Sequence, residues 1–410
     1  MSDLNINNVV PRSELEKRWA KCRRFLPEAA PEAGGLLCFS RLQIYYLSGS
    51  FVNGAIWLPL EGEPVLFVRK SYDRAKIESS IKTIVPFKSF KDLPPLAKEA
   101  GRPLSKILGA ETAGLTWQLG EMLTSRLSEY KFVPGDNVLA MARAVKSEWE
   151  LEIMREVGER HNSALVDVLP EVIEPGMTEL EISKYTWNVF FEYGHEGNMR
   201  MQTFGSEIFL GHVSAGDSGN YPSSFDGPLG LRGVHPVSPY MGSAAKIWEK
   251  GSPLAVDAGF VMEGYHTDKT QVYWSGPKNS IPKEVLDAQL FCQDMQTLAA
   301  ENLKPGAIVS DVYEIVLAEA EKRGFSEGFM GLGDNKVSFI GHGIGLTVDG
   351  FPPIARRFDI PIEKGMVFAL EPKHGIPGIG MVGVENTFEI TETGSRCITG
   401  NNFDIICIDK

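Results

Sequence analysis

Residues 253–274 read PLAVDAGFVMEGYHTDKTQVYW. Pro253–Phe260 and Tyr265–Trp274 have the apolar, β-branched and aromatic character of strands, and they flank the turn Val261–Gly264. Asp257 and Asp268 are equidistant from the middle of that turn. A simple hairpin then sets them face to face, with Cβ atoms ~4.5–5.5 Å apart. Two carboxylates at that range repel, and a shared proton or a bridging cation resolves the conflict.

Residues 366–390, MVFALEPKHGIPGIGMVGVENTFEI, repeat the arrangement. Met366–Leu370 and Val382–Ile390 read as strands, and Glu371 and Glu385 are symmetric about Gly378. One such pair in apolar strands can be accidental. Two pairs point to a purpose, because a buried carboxylate is costly unless it is paired or bound to a metal. Between the hairpins, Ser338–Gly345 ends an apolar run with His342 between two glycines. A lone histidine is more often structural. Here the flanking glycines allow close backbone approach, and four carboxylates stand nearby in the pattern. Four acidic ligands and one imidazole suit Mn²⁺, Fe²⁺, Co²⁺ or Zn²⁺, read as a pair of ions.

Working outward, the rest of the chain frames these segments. The first third alternates helix and strand signals. SELEKRWAKCRRFL and TWQLGEMLTSRLSEY read as helices, and GGLLCFS, GAIWLPL and EPVLFVR as short strands. This is a small α/β domain with no concentration of catalytic residue types. The boundary falls near 143–150, before the long helical stretch ELEIMREVGERHNSALVDVL, giving domains 1–145 and 146–410. The second domain contains an internal echo. Helix pairs are broken at Glu174-Pro175-Gly176 and Lys304-Pro305-Gly306, with a capping box at Thr178–Glu181. Strands follow each pair, which suggests two halves about a pseudo-twofold axis. Residues 211–243 are rich in Gly, Ser and Pro and read as a long loop that shapes the pocket.

Composition excludes several classes. The chain has 410 residues, 43% hydrophobic and 23% charged, with a formal net charge of −12. Disorder and coiled coil are excluded for the whole chain, and a diffuse nucleic-acid binder lacks its basic footprint. Five widely spaced cysteines without a CxxC disfavour a disulfide framework or a cysteine zinc site. MSDLNINNVVPRSELEKRW lacks a signal-peptide pattern, and no apolar run reaches the ~18 residues of a membrane span. The expectation is a cytoplasmic protein that engages neither nucleic acid nor membrane.

The ordered set Asp257, Asp268, His342, Glu371 and Glu385, carried by VDAGFVMEGYHTDKT, GHGIG, ALEP and GVEN, resembles the pita-bread metallohydrolases. That family includes methionine aminopeptidase, aminopeptidase P, prolidase and the metal-free creatinase. The resemblance covers nearly the whole chain. It implies a creatinase/prolidase-like α/β N-terminal domain followed by a pita-bread catalytic domain. Asp257 would chelate one ion, Asp268 and Glu385 would bridge two, and His342 and Glu371 would complete the second site. A hydroxide between the ions would attack the scissile amide, with Glu371 as general base. The implied activity is that of an Xaa-Pro dipeptidase or aminopeptidase, in a homodimer.

The departures are specific. Prolidase-like members carry a histidine 17 residues before the first metal Asp, where this chain has Tyr240. They carry a second seven residues after the metal histidine, where it has Asp349. The usual Arg two residues before the last Glu is Gly383, the Asp after that Glu is Asn386, and the Arg of DxTR is Gln271. Tyr240 can donate to a developing oxyanion, and Asp349 can bind a substrate amine or act as a base, so both enter the catalytic and substrate-binding set. Asp217 and Tyr221 join as substrate contacts from the 211–243 loop. Beside a peptidase, these changes leave open a non-peptidase small-molecule enzyme, either a C–N hydrolase or a lyase. A non-catalytic binding protein is disfavoured by the intact ligand set.

Overall fold

The structure, a computed structural model, describes residues 9–202 and 208–410. The stretch Met1–Asn8, read above for targeting signals, lies outside the described residues. The chain separates into two compact units, with the first ending at Arg143 and the second beginning at Ala144.

The first unit is a six-stranded mixed sheet with helices. Its strands are β1 (Gly35–Cys38), β2 (Asn53–Pro59), β3 (Val65–Lys70), β4 (Ile84–Pro86), β5 (Ile107–Ala110) and β6 (Lys131–Pro134), in the order β4-β3-β2-β1-β5-β6. The three apolar runs recognised in the sequence form β1, β2 and β3, which pair antiparallel as neighbours. Leu37, Trp57, Phe67, Phe87 and Leu108 pack together in its core. The helices Arg12–Ala29 and Trp117–Arg126 fall in the two segments with helical periodicity.

The second unit carries β7 (Gly211–Ala215), β8 (Pro253–Met262), β9 (Tyr265–Ser275), β10 (Phe339–Gly343), β11 (Gly350–Ala355), β12 (Val367–Leu370), β13 (Lys373–Ile376), β14 (Gly380–Gly383), β15 (Asn386–Ile390), β16 (Ser395–Cys397) and β17 (Ile406–Ile408). They form a sheet β17-β9-β8-β7, a sheet β11-β10-β12-β15-β16 and the hairpin β13-β14. Helices Glu148–Ser163 and Glu179–Glu192 precede the first sheet, and Lys283–Asn302 and Val309–Lys322 precede the second. This is the repeated helix-pair-then-strands order. The box at Thr178–Glu181 forms as its sequence requires: Glu181 N–H donates to Thr178 Oγ1, and Thr178 N–H donates to Glu181 Oε2.

Three sequence expectations need correction. First, the long helical stretch after the boundary is not one α-helix. It passes through a π turn at Ala164–Val168 before a last turn at Leu169–Val172. Pro170 lacks an N–H to donate, and the Tyr273 hydroxyl donates to the Leu165 carbonyl at 2.5 Å. Second, residues 211–243 are not all loop. Gly211–Ala215 form a fully buried strand paired antiparallel with β8. It escaped notice because GHVSA has no apolar alternation.

Third, Asp257 and Asp268 do not face each other. Asp257 pairs with Thr270, and Asp268 with Gly259. The hairpin closes with two residues, Glu263 and Gly264, both at positive φ (52° and 78°), as a type I′ turn requires. The Glu196 carboxylate accepts from both of their N–H groups. The tighter turn moves each cross-strand partner by two residues. A slip of two preserves the face, so the aspartates become diagonal neighbours on one side of the sheet.

Candidate metal centre

Three elements bring the predicted ligands together. The β8–β9 hairpin supplies Asp257 and Asp268. Strand β10 supplies His342, whose Cα partner in β12 is Ala369. Glu371 follows β12 directly, and its N–H donates to the Ile340 carbonyl at 3.0 Å. Here the sequence register holds: Leu370 pairs with Asn386 and Lys373 with Gly383, so Glu371 and Glu385 lie opposite one another about Gly378, at φ 75°. Thr270 N–H donates to the Glu385 carbonyl at 3.2 Å, which joins the two hairpins.

Asp268, His342 and Glu385 each offer a ligand atom within 4.8 Å of the others. His342 Nε2 lies 3.5 Å from Glu371 Oε1 and 3.9 Å from Glu385 Oε1. Asp268, Glu371 and Glu385 are buried. Two further residues complete the cluster, and sequence reasoning passed over both.

Lys373 is 1% exposed, and its Nζ lies 2.6 Å from Glu385 Oε2, 3.2 Å from Glu371 Oε2 and 3.3 Å from Asp257 Oδ2. Its sequence signal was the spacing Glu371-Pro372-Lys373, since alternate residues of an extended chain share a face. The second is His212, buried on β7 and the Cα partner of Asp257. Its Nε2 has no hydrogen-bond partner among the described residues.

Burial dominates the electrostatics. It lifts Asp268 to about 7, aided by the charge of Asp257. It lifts Glu371, and it raises Glu385 well above the carboxylate range, with the charge of Asp268 adding to the effect. Asp257 is lower than usual despite burial, because Lys373 and then His212 favour its charged form. Burial works against the Lys373 charge, but Asp257, Glu385 and Glu371 outweigh it and hold the ammonium well above its ordinary range. Buried carboxylates pushed toward their protonated form by one another are the donor set that a divalent cation relieves. Oxygen donors with one imidazole fit such an ion.

The remaining candidates sit as follows. Asp349 precedes β11, and its Oδ1 accepts from the Gln202 N–H at 2.5 Å. Asp217 is engaged by Lys246 at 2.5 Å and Arg232 at 3.0 Å, which hold its carboxyl below the usual range. Tyr221 is half exposed, with the Arg232 guanidinium over its ring. Tyr240 is partly buried and precedes Met241, which bridges to His212. His266, beside Asp268 in sequence, is structural. Its Nδ1 meets the Gly345 carbonyl at 2.8 Å, and its Nε2 accepts from the Arg200 N–H at 3.1 Å.

With the geometry established, comparison with known proteins is direct. The model of metallopeptidase family M24 matches residues 152–392. The chain belongs to metallopeptidase family M24. The creatinase/prolidase N-terminal domain matches residues 18–145, ahead of this M24 domain. The M24 chain is similar to the Xaa-Pro dipeptidase of Pyrococcus furiosus, 25% identical over 96% of this chain and all of the relative. Its fold is similar to that of the prolidase from Pyrococcus horikoshii OT3, at a TM-score of 0.75 and 23% identity over 95% of this chain and all of that one. It is also similar to an Xaa-Pro dipeptidase from Bacillus anthracis, at a TM-score of 0.77 and 21% identity over 96% and 99%. The fold is therefore the pita-bread arrangement behind a creatinase-like domain. A metallopeptidase family implies a divalent metal.

Proposed function

We propose that this M24 protein is a metal-dependent Xaa-Pro peptidase that releases the residue before proline, with dipeptides as its first substrates. The convergence of Asp268, His342 and Glu385 within 4.8 Å, inside a buried acidic cluster, carries the reading. The names of the relatives support it over a non-peptidase activity. In this reading the domains are 1–145 and 146–410, and Asp257, Asp268, His342, Glu371 and Glu385 are the metal-ligating set. The divalent metal is Mn²⁺, Co²⁺, Zn²⁺ or Fe²⁺, each of which suits oxygen donors with one imidazole. The protein acts in the cytoplasm as a homodimer.

A bound divalent ion would polarise the scissile carbonyl and make a water acidic enough to attack it at neutral pH. The chain's own residues do the rest. Glu371, raised by burial, is suited to take a proton from the attacking water and return it to the leaving proline nitrogen. Tyr240 donates its hydroxyl to the developing oxyanion. Asp349, whose Oδ1 accepts from the Gln202 N–H, binds the substrate amine or acts as a base. Asp217 and Tyr221 contact substrate from the 211–243 segment.

The test is a panel of Xaa-Pro and Xaa-Ala dipeptides with protein loaded with Mn²⁺ or Co²⁺, followed by chromatography of free proline. Proline release abolished by EDTA and restored by the metal is expected. A loaded protein that leaves every Xaa-Pro dipeptide intact would refute the reading.

A further inference from the structure

We infer that the Lys373 ammonium stands in for one of two cations in the acidic cluster, so that the centre binds a single divalent ion beside His342. The inference deepens the metallopeptidase reading and rests on it for the identity of the site.

The argument is the division of oxygens. Glu371 and Glu385 each turn one oxygen toward Lys373 and the other toward His342. Their Oε2 atoms lie 3.2 and 2.6 Å from Nζ. Their Oε1 atoms lie 3.5 and 3.9 Å from His342 Nε2. Asp257 joins the first group, with Oδ2 3.3 Å from Nζ. Asp268 joins the second, within 4.8 Å of His342 and Glu385 ligand atoms. The cluster thus has two centres of convergence, and two carboxylates bridge them. One centre already holds a positive charge supplied by the chain. The other gathers three carboxylates, from Asp268, Glu371 and Glu385, and an imidazole, with no cationic side chain among them in the described residues.

Local structure favours this placement of Lys373. Lys373 opens β13, and its cross-strand partner is Gly383. A Cβ at Gly383 would come within 2.4 Å of the Pro372 carbonyl oxygen and 2.6 Å of Lys373 Cα. Glycine there lets the two backbones approach at the residue that carries the ammonium. A second dication would compete with Nζ for the same three oxygens.

Metal content decides the matter independently of activity. Apo-protein is equilibrated with excess Mn²⁺, freed of unbound ion and analysed by plasma mass spectrometry, for wild type and Lys373→Gly. One ion per wild-type chain and two per Lys373→Gly chain are expected. Lys373→Met, which keeps the bulk and loses the charge, should also gain the second ion; two ions in Lys373→Gly but one in Lys373→Met would assign the exclusion to bulk and overturn the role given to the ammonium. Two ions, or none, in the wild type would overturn the inference. The wild-type count stands even if a variant fails to fold, which circular dichroism would reveal. A wild type that binds one ion yet cleaves no Xaa-Pro dipeptide would refute the peptidase reading and leave this inference intact. A wild type that cleaves with two ions would do the reverse.

Discussion

Thr270 holds Glu385 at both ends: its N–H donates to the Glu385 carbonyl at 3.2 Å, and its hydroxyl donates to Glu385 Oε2 at 3.2 Å. One residue of the first hairpin therefore orients the carboxylate that the second hairpin delivers. Thr270→Val keeps the shape and the backbone bond but removes the hydroxyl. Groups that orient a ligating carboxylate are commonly worth ~10–100-fold in metal affinity. We expect Mn²⁺ affinity, read by titration calorimetry, to fall within that range, with little change in melting temperature. An unchanged affinity would show that the hydroxyl plays no part in orienting the ligand.

Tyr240 stands where prolidase-like sequences carry histidine. If its hydroxyl stabilises the oxyanion, Tyr240→Phe should lower kcat by ~10²–10³ with little change in KM and none in metal content. A variant whose KM rises while kcat holds would assign Tyr240 to ground-state binding instead.

Glu111 in the first unit predicts an unusual pH dependence. Burial pushes its carboxyl up to about 7, against the pull of the Ser40 and Phe39 N–H groups. Its folded-state value is raised above the unfolded value of ~4.3. Between the two, the folded chain keeps a proton that the unfolded chain has lost. This contribution is complete below the unfolded value and is lost as pH rises through about 7. His195 and His374, lowered by burial to about 4, act in the opposite sense. Their contribution is complete above the unfolded histidine value of ~6.5 and is lost as pH falls toward about 4. Glu111→Gln retains an acceptor for the two N–H groups. Urea denaturation at pH 5 and pH 8 should show a smaller loss of stability on raising the pH in Glu111→Gln than in wild type.

Arg155 grips Glu389 with a two-pronged contact, Nε to Oε2 at 2.9 Å and Nη2 to Oε1 at 2.7 Å. It ties the helix Glu148–Ser163 to β15, next to Glu385. The Glu389 side chain is 6% exposed, and Arg396 also reaches it at 2.7 Å. Arg155→Met leaves a largely buried carboxylate with one partner. A loss of about 2–3 kcal/mol in denaturant unfolding is expected, below the full cost of stripping a buried charge because Arg396 remains. Arg155→Lys should recover only part, since an ammonium cannot reproduce the planar fork.

The chemistry of the site was legible in the sequence because strand periodicity is local. Asp257, Asp268, Glu371 and Glu385 interrupt apolar strands at positions symmetric about turns, and His342 lies between glycines. Those patterns need no knowledge of what packs where. Register was legible only where the turn was. The second hairpin centres on Gly378, and its pairing follows. The first closes with Glu263 in a positive-φ conformation that its residue type does not announce, so its pairing was misjudged by two residues. The strand Gly211–Ala215 was invisible because its burial comes from β8 beside it.

The sequence by itself determined the two-domain α/β plan, the family and the identity of five ligand-type side chains, since each follows from spacing within short segments. Only the tertiary structure decided which charges share one space. Lys373 and Asp257 are far apart in the chain, and nothing local brings them within 3.3 Å. The packing of two hairpins does so, and it places a buried ammonium among three carboxylates.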